Sequence, residues 1–387
     1  MKNVIVTDVR YRMALAPIRE LAKKGYRITA CEFLDTSFDE RLGFFSKYVS
    51  DTICLEDTEQ SFCDEIMSLS KNDRPVLIPT NRKSLTKVIH NKNYLSSFCD
   101  FLVPDKKAID LADDKDKMAQ IAKKIGVPIP KTTSLKEHSS IEEMAKLVHY
   151  PCIIKFRNGE AMGKKPEQRY AIVNNIDDFI KNYTKMHEED PYPIASDYIK
   201  GHDIGVAVVM DKNHKAVDFL CYESLREYPI KGGPTCYLKT FFDRKLLEYS
   251  VRLLEEIDFC GIAMLDFRGT PKNPFFLEIN PRIWGSAAIC DISDSTFFQS
   301  YVNASCEKTE PLDIKKCVPK YKLNAKMRFT PQNILCFLSN MKNSKNKLKI
   351  LIENIISLFD FSIRDGLFSI KDIKPYIKYI KTSIKRS

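Results

Sequence analysis

Nowhere in this chain of 387 residues do about 18 uncharged apolar positions run together, so no segment is expected to cross a bilayer as a helix. The opening MKNVIVTDVRYR turns polar too early for a secretory signal. No CxxC pair occurs among the twelve cysteines, which excludes a zinc site encoded by that spacing. Most of the thiols sit in apolar runs, as Cys152 does in YPCIIKF, and read as reduced, buried residues of a cytoplasmic protein. No GxGxxG follows the first strand-like run and no GxxxxGKS or GxxxxGKT occurs, so neither a dinucleotide fold nor a P-loop is indicated. Histidine is scarce, and the six lie in polar loops such as KMHEED and KGHDIG; a solvated side chain is the simpler reading of His202.

What is present is the composition of a soluble globular protein, 44% hydrophobic and 29% charged, long enough for two or three domains. The net charge of +10 is unevenly placed. From Gln332 onward eleven Lys and Arg stand against four Asp and Glu, so the basicity belongs to the tail and the body is nearly neutral. No nucleic-acid-binding motif accompanies that charge, and nucleic acid is not the expected partner. In IKDIKPYIKYIKTSIKRS, Ile373, Tyr376, Ile377, Ile380 and Ile384 recur at helical spacing, with Lys374, Lys378, Lys381 and Lys385 opposite. Such a helix suits peripheral contact with an anionic membrane; packing of its apolar face on the body, lysines solvated, is equally open.

Along the chain, VIVTDV, RITACEFL and RPVLIPT read as buried strands, and a helical pattern through Leu15, Ile18 and Leu21 stops at Gly25. Strands alternating with helices predict a doubly wound α/β domain over 1–104. A second unit, 105–192, opens on a helix capped by acidic residues and ending at Gly126, then YPCIIKF as a strand, the polar loop 157–169 and YAIVNN. A third, 193–330, holds PIASDYIKGHDIGVAVVMD as two strands broken at Gly201, the helix KLLEYSVRLLEEI, and the strands GIAMLDF and PFFLEIN joined by RGTPKN. Residues 331–387 form a basic helical tail.

Within PFFLEINPRIWGS, Glu278 and Asn280 are two apart and therefore share one face of a strand. Asp266, at the end of the preceding strand, comes near them if the connection is a short antiparallel one. Two carboxylates and an amide oxygen are hard ligands of the kind Mg²⁺ accepts beside phosphate oxygens. Arg282, held by Pro281, could brace a phosphoryl group bidentately. The alternative is a hairpin with a solvated polar side.

This constellation closes a series that resembles the ATP-grasp superfamily from about Val4 to Ser286. The resemblance implies an ATP-grasp fold with a preceding α/β domain, and it implies roles. Lys115 and Lys155 would meet the phosphates, with 157–169 as the flap above them. In SDYIKGHD, Asp197 and the backbone of Tyr198 and Ile199 would face adenine and Asp203 the ribose. Asp266, Glu278 and Asn280 would hold Mg²⁺, or Mn²⁺ in its place, and Arg282 the transferring phosphoryl group. Two features depart from the family pattern: the flap lacks paired glycines, and Ser196-Asp197 stands where Gln-Glu is frequent. Trp284-Gly285-Ser286 resembles the carboxylate–amine ligase and carbamoyl-phosphate-synthase-like subgroup, with Trp284 either a wall of the acceptor pocket or core. In ESLREYPIKGGP, Arg226 is a candidate clamp for a carboxylate or acyl phosphate, and Gly232-Gly233 a place for backbone amides to meet an anion. The expected reaction joins a small-molecule carboxylate to an amine through an acyl phosphate. A carboxyphosphate-forming enzyme or kinase and a non-catalytic ATP-binding regulator are the alternatives, and a homodimer is left open.

Overall fold

The computed structural model describes residues 2–71, 73–157, 162–164, 168–230, 233–343 and 346–385. Its strands fall, in chain order, into three sheets. The first contains β1 (Asn3–Val6), β2 (Arg27–Phe33), β3 (Asp51–Leu55) and β4 (Val76–Ile78) in the order β3-β2-β1-β4. Every pairing is parallel, and Val4, Ile5 and Val6 are wholly buried, as a central strand covered on both faces requires. The helix Leu15–Lys23 ends at Gly25, whose φ of 87° is the left-handed stop that a side chain would resist.

The second sheet contains β5 (Thr132–Thr133), β6 (Cys152–Lys155), β7 (Tyr170–Val173) and β8 (Ile194–Asp197), antiparallel in the order β5-β8-β6-β7. The chain enters it through the helix Lys115–Lys124, whose first turn is capped by Asp114 accepting the Lys117 N–H at 3.0 Å. Helices Ile141–Leu147 and Ile176–His187 cover the sheet and bury Met144, Phe179 and Tyr183 in a core of their own. β8 begins past residue 192, yet it pairs with both β5 and β6 and completes this sheet.

The third sheet contains β9 (His202–Met210), β10 (Ala216–Glu227), β11 (Thr235–Phe241), β12 (Gly261–Thr270), β13 (Asn273–Asn280), β14 (Lys326–Arg328) and β15 (Ile363–Asp365). Their order is β13-β12-β9-β10-β11-β14-β15, antiparallel except for the last pair. The strands expected on either side of Gly201 both form, but in different sheets, so Gly201 marks the passage between them. β12 continues to Thr270 and β13 starts at Asn273. The expected six-residue linker RGTPKN is therefore a two-residue turn, and Arg268 is a strand residue. One apolar core joins this sheet, its helices Arg244–Glu256 and Phe297–Ser305, and part of the first sheet. The first and third sheets thus share a core, while the second sheet stands on a separate one.

The tail is tied to the body. β15 adds to β14, and buried Asp372 accepts Arg19 Nε, Ser46 Oγ and the Lys47 N–H, each at 2.9 Å. The helix Lys374–Lys385 lies against residues 38–45. Contact runs partly through its basic side: Lys378 pairs with Asp39 and sits 4.5 Å from the Phe45 ring centre, whereas Ile377 is 42% exposed. Of the two readings left open, packing on the body is the one this contact fits, with Lys378 taking part in it and not merely solvated. The side chains of Ile384 and Lys385 lie outside the described residues. Among the described residues no helix is long and apolar enough to cross a membrane.

Candidate active site

The hairpin β12–β13 sets Asp266 directly opposite Glu278. Asp266 lies within its strand, not at the end, because β12 runs on four residues further. Asn280 shares the Glu278 face, and its Nδ2 donates to Asp266 Oδ2 at 2.7 Å. Lys115 Nζ meets Glu278 Oε2 at 2.6 Å, while Lys155, the last residue of β6, faces the same carboxylate from the second sheet. Burial, then the facing Glu278, drives the Asp266 carboxyl well above its ordinary range. Burial acts on Glu278 in the same direction, but Lys115 and Lys155 outweigh it and hold that carboxyl below its ordinary value. Burial and the neighbouring Lys115 bring the Lys155 ammonium down to about 8. Two opposed carboxylates with an amide tied to one of them are a donor set that fits Mg²⁺.

These groups open on a cleft of about 610 Å³ between the second and third sheets. Lys115, Lys155, Asp266, Glu278, Asn280 and Arg282 all line it. So do Asp197, Tyr198, Ile199 and Asp203, which carry the chain from β8 into β9. The Ile199 carbonyl accepts Arg268 Nε at 3.1 Å, and the same guanidinium pairs with Asp203 and lies 3.7 Å from Glu227. Arg268 thus braces the crossover segment, a part that a turn reading of RGTPKN conceals. Asp197 has His149 Nδ1 at 3.5 Å.

The expected site residues are not all brought together. Arg226 does not line the cleft: its Nη1 donates to Asn333 Oδ1 at 3.2 Å and its guanidinium stacks near Tyr237. Gly233 does line it, and a Cβ there would lie 2.1 Å from Pro229 N, so only glycine fits; Gly232 lies outside the described residues. Of the flap, residues 158–161 and 165–167 lie outside the described residues. Its first residue, Arg157, pairs with Asp116 at 2.6 Å, Lys164 within it pairs with Glu189 at 2.5 Å, and its last residue, Arg169, reaches the cleft. Trp284 is both wall and core, 1% exposed, lining the cleft and stacked on Tyr222 at 6.3 Å. Arg12, from the loop after β1, lines the same end; nothing in its local sequence marks it.

Two sheets gripping such a cleft define the ATP-grasp fold, and residues 112–286 match the family described as ATP-grasp domain. The matched segment is 175 of the 387 residues, and its fold is the ATP-grasp fold. It is similar to the carbamoyl phosphate synthase large chain of Clostridium acetobutylicum, 21% identical over 234 residues, 58% of this chain and 21% of that one. The chain therefore spans about a fifth of the length of that curated relative. The biotin carboxylase domain of the Hydrogenobacter thermophilus 2-oxoglutarate carboxylase, a structure with MgADP, ADP and bicarbonate, superposes with a TM-score of 0.60 at 16% identity, covering 84% of this chain and 73% of that one. The L-amino acid ligase of Bacillus licheniformis superposes with a TM-score of 0.52 at 13% identity, covering 82% and 76%.

Proposed function

We propose that the chain is an ATP-dependent carboxylate–amine ligase. The observation that carries this reading is the cross-strand set Asp266, Glu278 and Asn280 facing Lys115 and Lys155 across one cleft. ATP enters with its base at the Asp197–Ile199 crossover and its ribose at Asp203. Lys115 and Lys155 neutralise the phosphates, and phosphoryl transfer asks a protein chiefly for that and for positioning. Asp266, Glu278 and Asn280 hold Mg²⁺, which supplies charge neutralisation at the phosphates when bound. Lys115 then exchanges its Glu278 partner for phosphate oxygens. A substrate carboxylate oxygen attacks the γ-phosphorus, the bond to the bridging oxygen breaks, and ADP leaves. The amine nitrogen attacks the resulting acyl phosphate and loses a proton, phosphate departs, and an amide remains. Arg282, at the start of the turn after β13, steadies the transferring group.

Glu278→Gln tests this. It removes the single charge that serves both the metal set and the pair with Lys115 while preserving shape. Turnover of ATP to ADP and phosphate with an acid and an amine is expected to fall by about a hundred- to a thousandfold, the scale of lost electrostatic stabilisation. Unchanged circular dichroism would show that the fold survives. Normal turnover in that variant would refute the metal assignment.

The likeness to a carbamoyl phosphate synthase chain favours a second reading, a carboxyphosphate-forming enzyme. ATP turnover stimulated by bicarbonate without any organic acid distinguishes it. We also propose the working division of a first α/β domain, a lid formed by the second sheet, a base formed by the third, and a basic tail that touches anionic membrane from a cytoplasmic location.

A further inference from the structure

Arg12 is a charged group of the cleft that the reaction outlined above does not use. It belongs to the first domain but reaches the cleft beside Trp284 and Gly285; a Cβ on Gly285 would lie 4.0 Å from Arg12 Nη2. The neighbouring space of about 880 Å³ on the phosphate side shares Lys115, Lys155, Glu278 and Arg282 with the cleft but does not include Arg12. Arg12 therefore sits at the end away from the lysines. Its guanidinium lies 3.6 Å over the Phe329 ring centre, which fixes its plane. Asp365 and Tyr379 of the tail are close enough to favour its charge, yet no carboxylate forms an ion pair with it among the described residues. Tyr379 also accepts a hydrogen bond from it, while burial pulls its pKa down. A planar, preorganised cation, half-buried in the cleft wall and ion-paired to no carboxylate among the described residues, is a receptor for a planar anion.

We propose that Arg12 anchors a carboxylate that takes no part in the reaction, so that one of the two substrates is an amino acid or another molecule bearing a second carboxylate. Trp284 and Tyr222, stacked 8° from parallel, form the apolar wall beside it. Only the word substrate rests on the ligase reading; the binding site stands on the geometry.

The test is binding, with the full chain, Mg²⁺ and a non-hydrolysable ATP analogue. Calorimetry or thermal shift compares the twenty amino acids and simple dicarboxylates such as succinate with their carboxamides and decarboxylated counterparts. At least one carboxylate probe is expected to bind the native protein where its carboxamide does not, and Arg12→Met to weaken it by about 30-fold or more, the scale of losing one partner of a desolvated charged pair. Affinity for the ATP analogue is expected to stay unchanged. Arg12→Lys, which keeps a cation over Phe329, restores part of the loss and serves if the methionine variant does not fold. Preference for amino acids places the extra carboxylate on the amine, preference for dicarboxylates places it on the acid. Equal affinity in Arg12→Met, equal binding of carboxamides, or no carboxylate bound by the native protein would overturn the proposal. If acids bind through Arg12 but mass spectrometry finds no condensed product from any acid–amine pair, the ligase reading fails and the anchor stands.

Discussion

Lys155 is a cation of the cleft whose charge is weakened by its surroundings. With its ammonium near 8 it is protonated at pH 7 and loses its charge as pH rises through that value. The unfolded chain keeps the proton up to about its ordinary 10.5, so between 8 and 10.5 the unfolded state binds more protons. The Lys155 contribution to stability therefore rises with pH across that window. Nucleotide affinity moves the other way. A fluorescent ATP analogue is expected to bind up to about tenfold more weakly at pH 9 than at pH 7, because one unit above the pKa leaves roughly a tenth of the lysine charged. Lys155→Arg, charged throughout, should flatten that profile. Lys155→Met should lower affinity and flatten it as well. A methionine variant with the native pH profile would remove Lys155 from the phosphate site.

The hairpin that holds the carboxylates depends on the strand beside it. Gly205 of β9 pairs with Asp266 on one side and Tyr222 on the other, and a Cβ there would lie 2.2 Å from the Tyr222 ring. Glycine lets that ring lie across the sheet and meet Trp284, which ties the metal strands to the cleft wall. Gly205→Ala is expected to cost about 1–3 kcal/mol in urea denaturation, the range for overpacking. In a Tyr222→Ala background the same change should cost almost nothing, and equal costs in both backgrounds would refute the contact. Much of this strand arithmetic was legible in the sequence. Glu278 and Asn280 could be placed on one face because strands alternate with period two, and Lys155 because CIIK is β-branched and apolar. Arg268 was hidden because Gly269, Thr270 and Pro271 read as turn residues, while the strand in fact continues through two of them. Arg226 was misplaced because β10 slips register between Ser224 and Glu227, which re-aims that side chain. Arg12 could not be found at all: its place in the cleft comes from docking the first domain on the third sheet, and no local pattern encodes that.

The tail joins these units and also carries the surface that remains unexplained. Phe361 is 89% exposed, and Leu348, Ile356, Phe359 and Ile370 are exposed with it, among exposed Lys342, Lys347, Lys371 and Lys374. Apolar side chains rimmed by lysines suit the headgroup region of an anionic bilayer. Deleting the tail is a poor test, because it removes Asp372 and leaves Arg19 buried without its partner, a loss of about 3–5 kcal/mol. Point substitution avoids that. The full chain is expected to sediment with phosphatidylserine vesicles at low salt and to be released as salt rises past the physiological range, since charges near a lipid surface are screened within about 10 Å. Phe359→Glu with Phe361→Glu should abolish sedimentation while changing stability by no more than about 0.5 kcal/mol per site, as both side chains already face solvent. Full-length protein left in the supernatant at low salt would end the membrane proposal, and the exposed apolar residues would then need a protein partner.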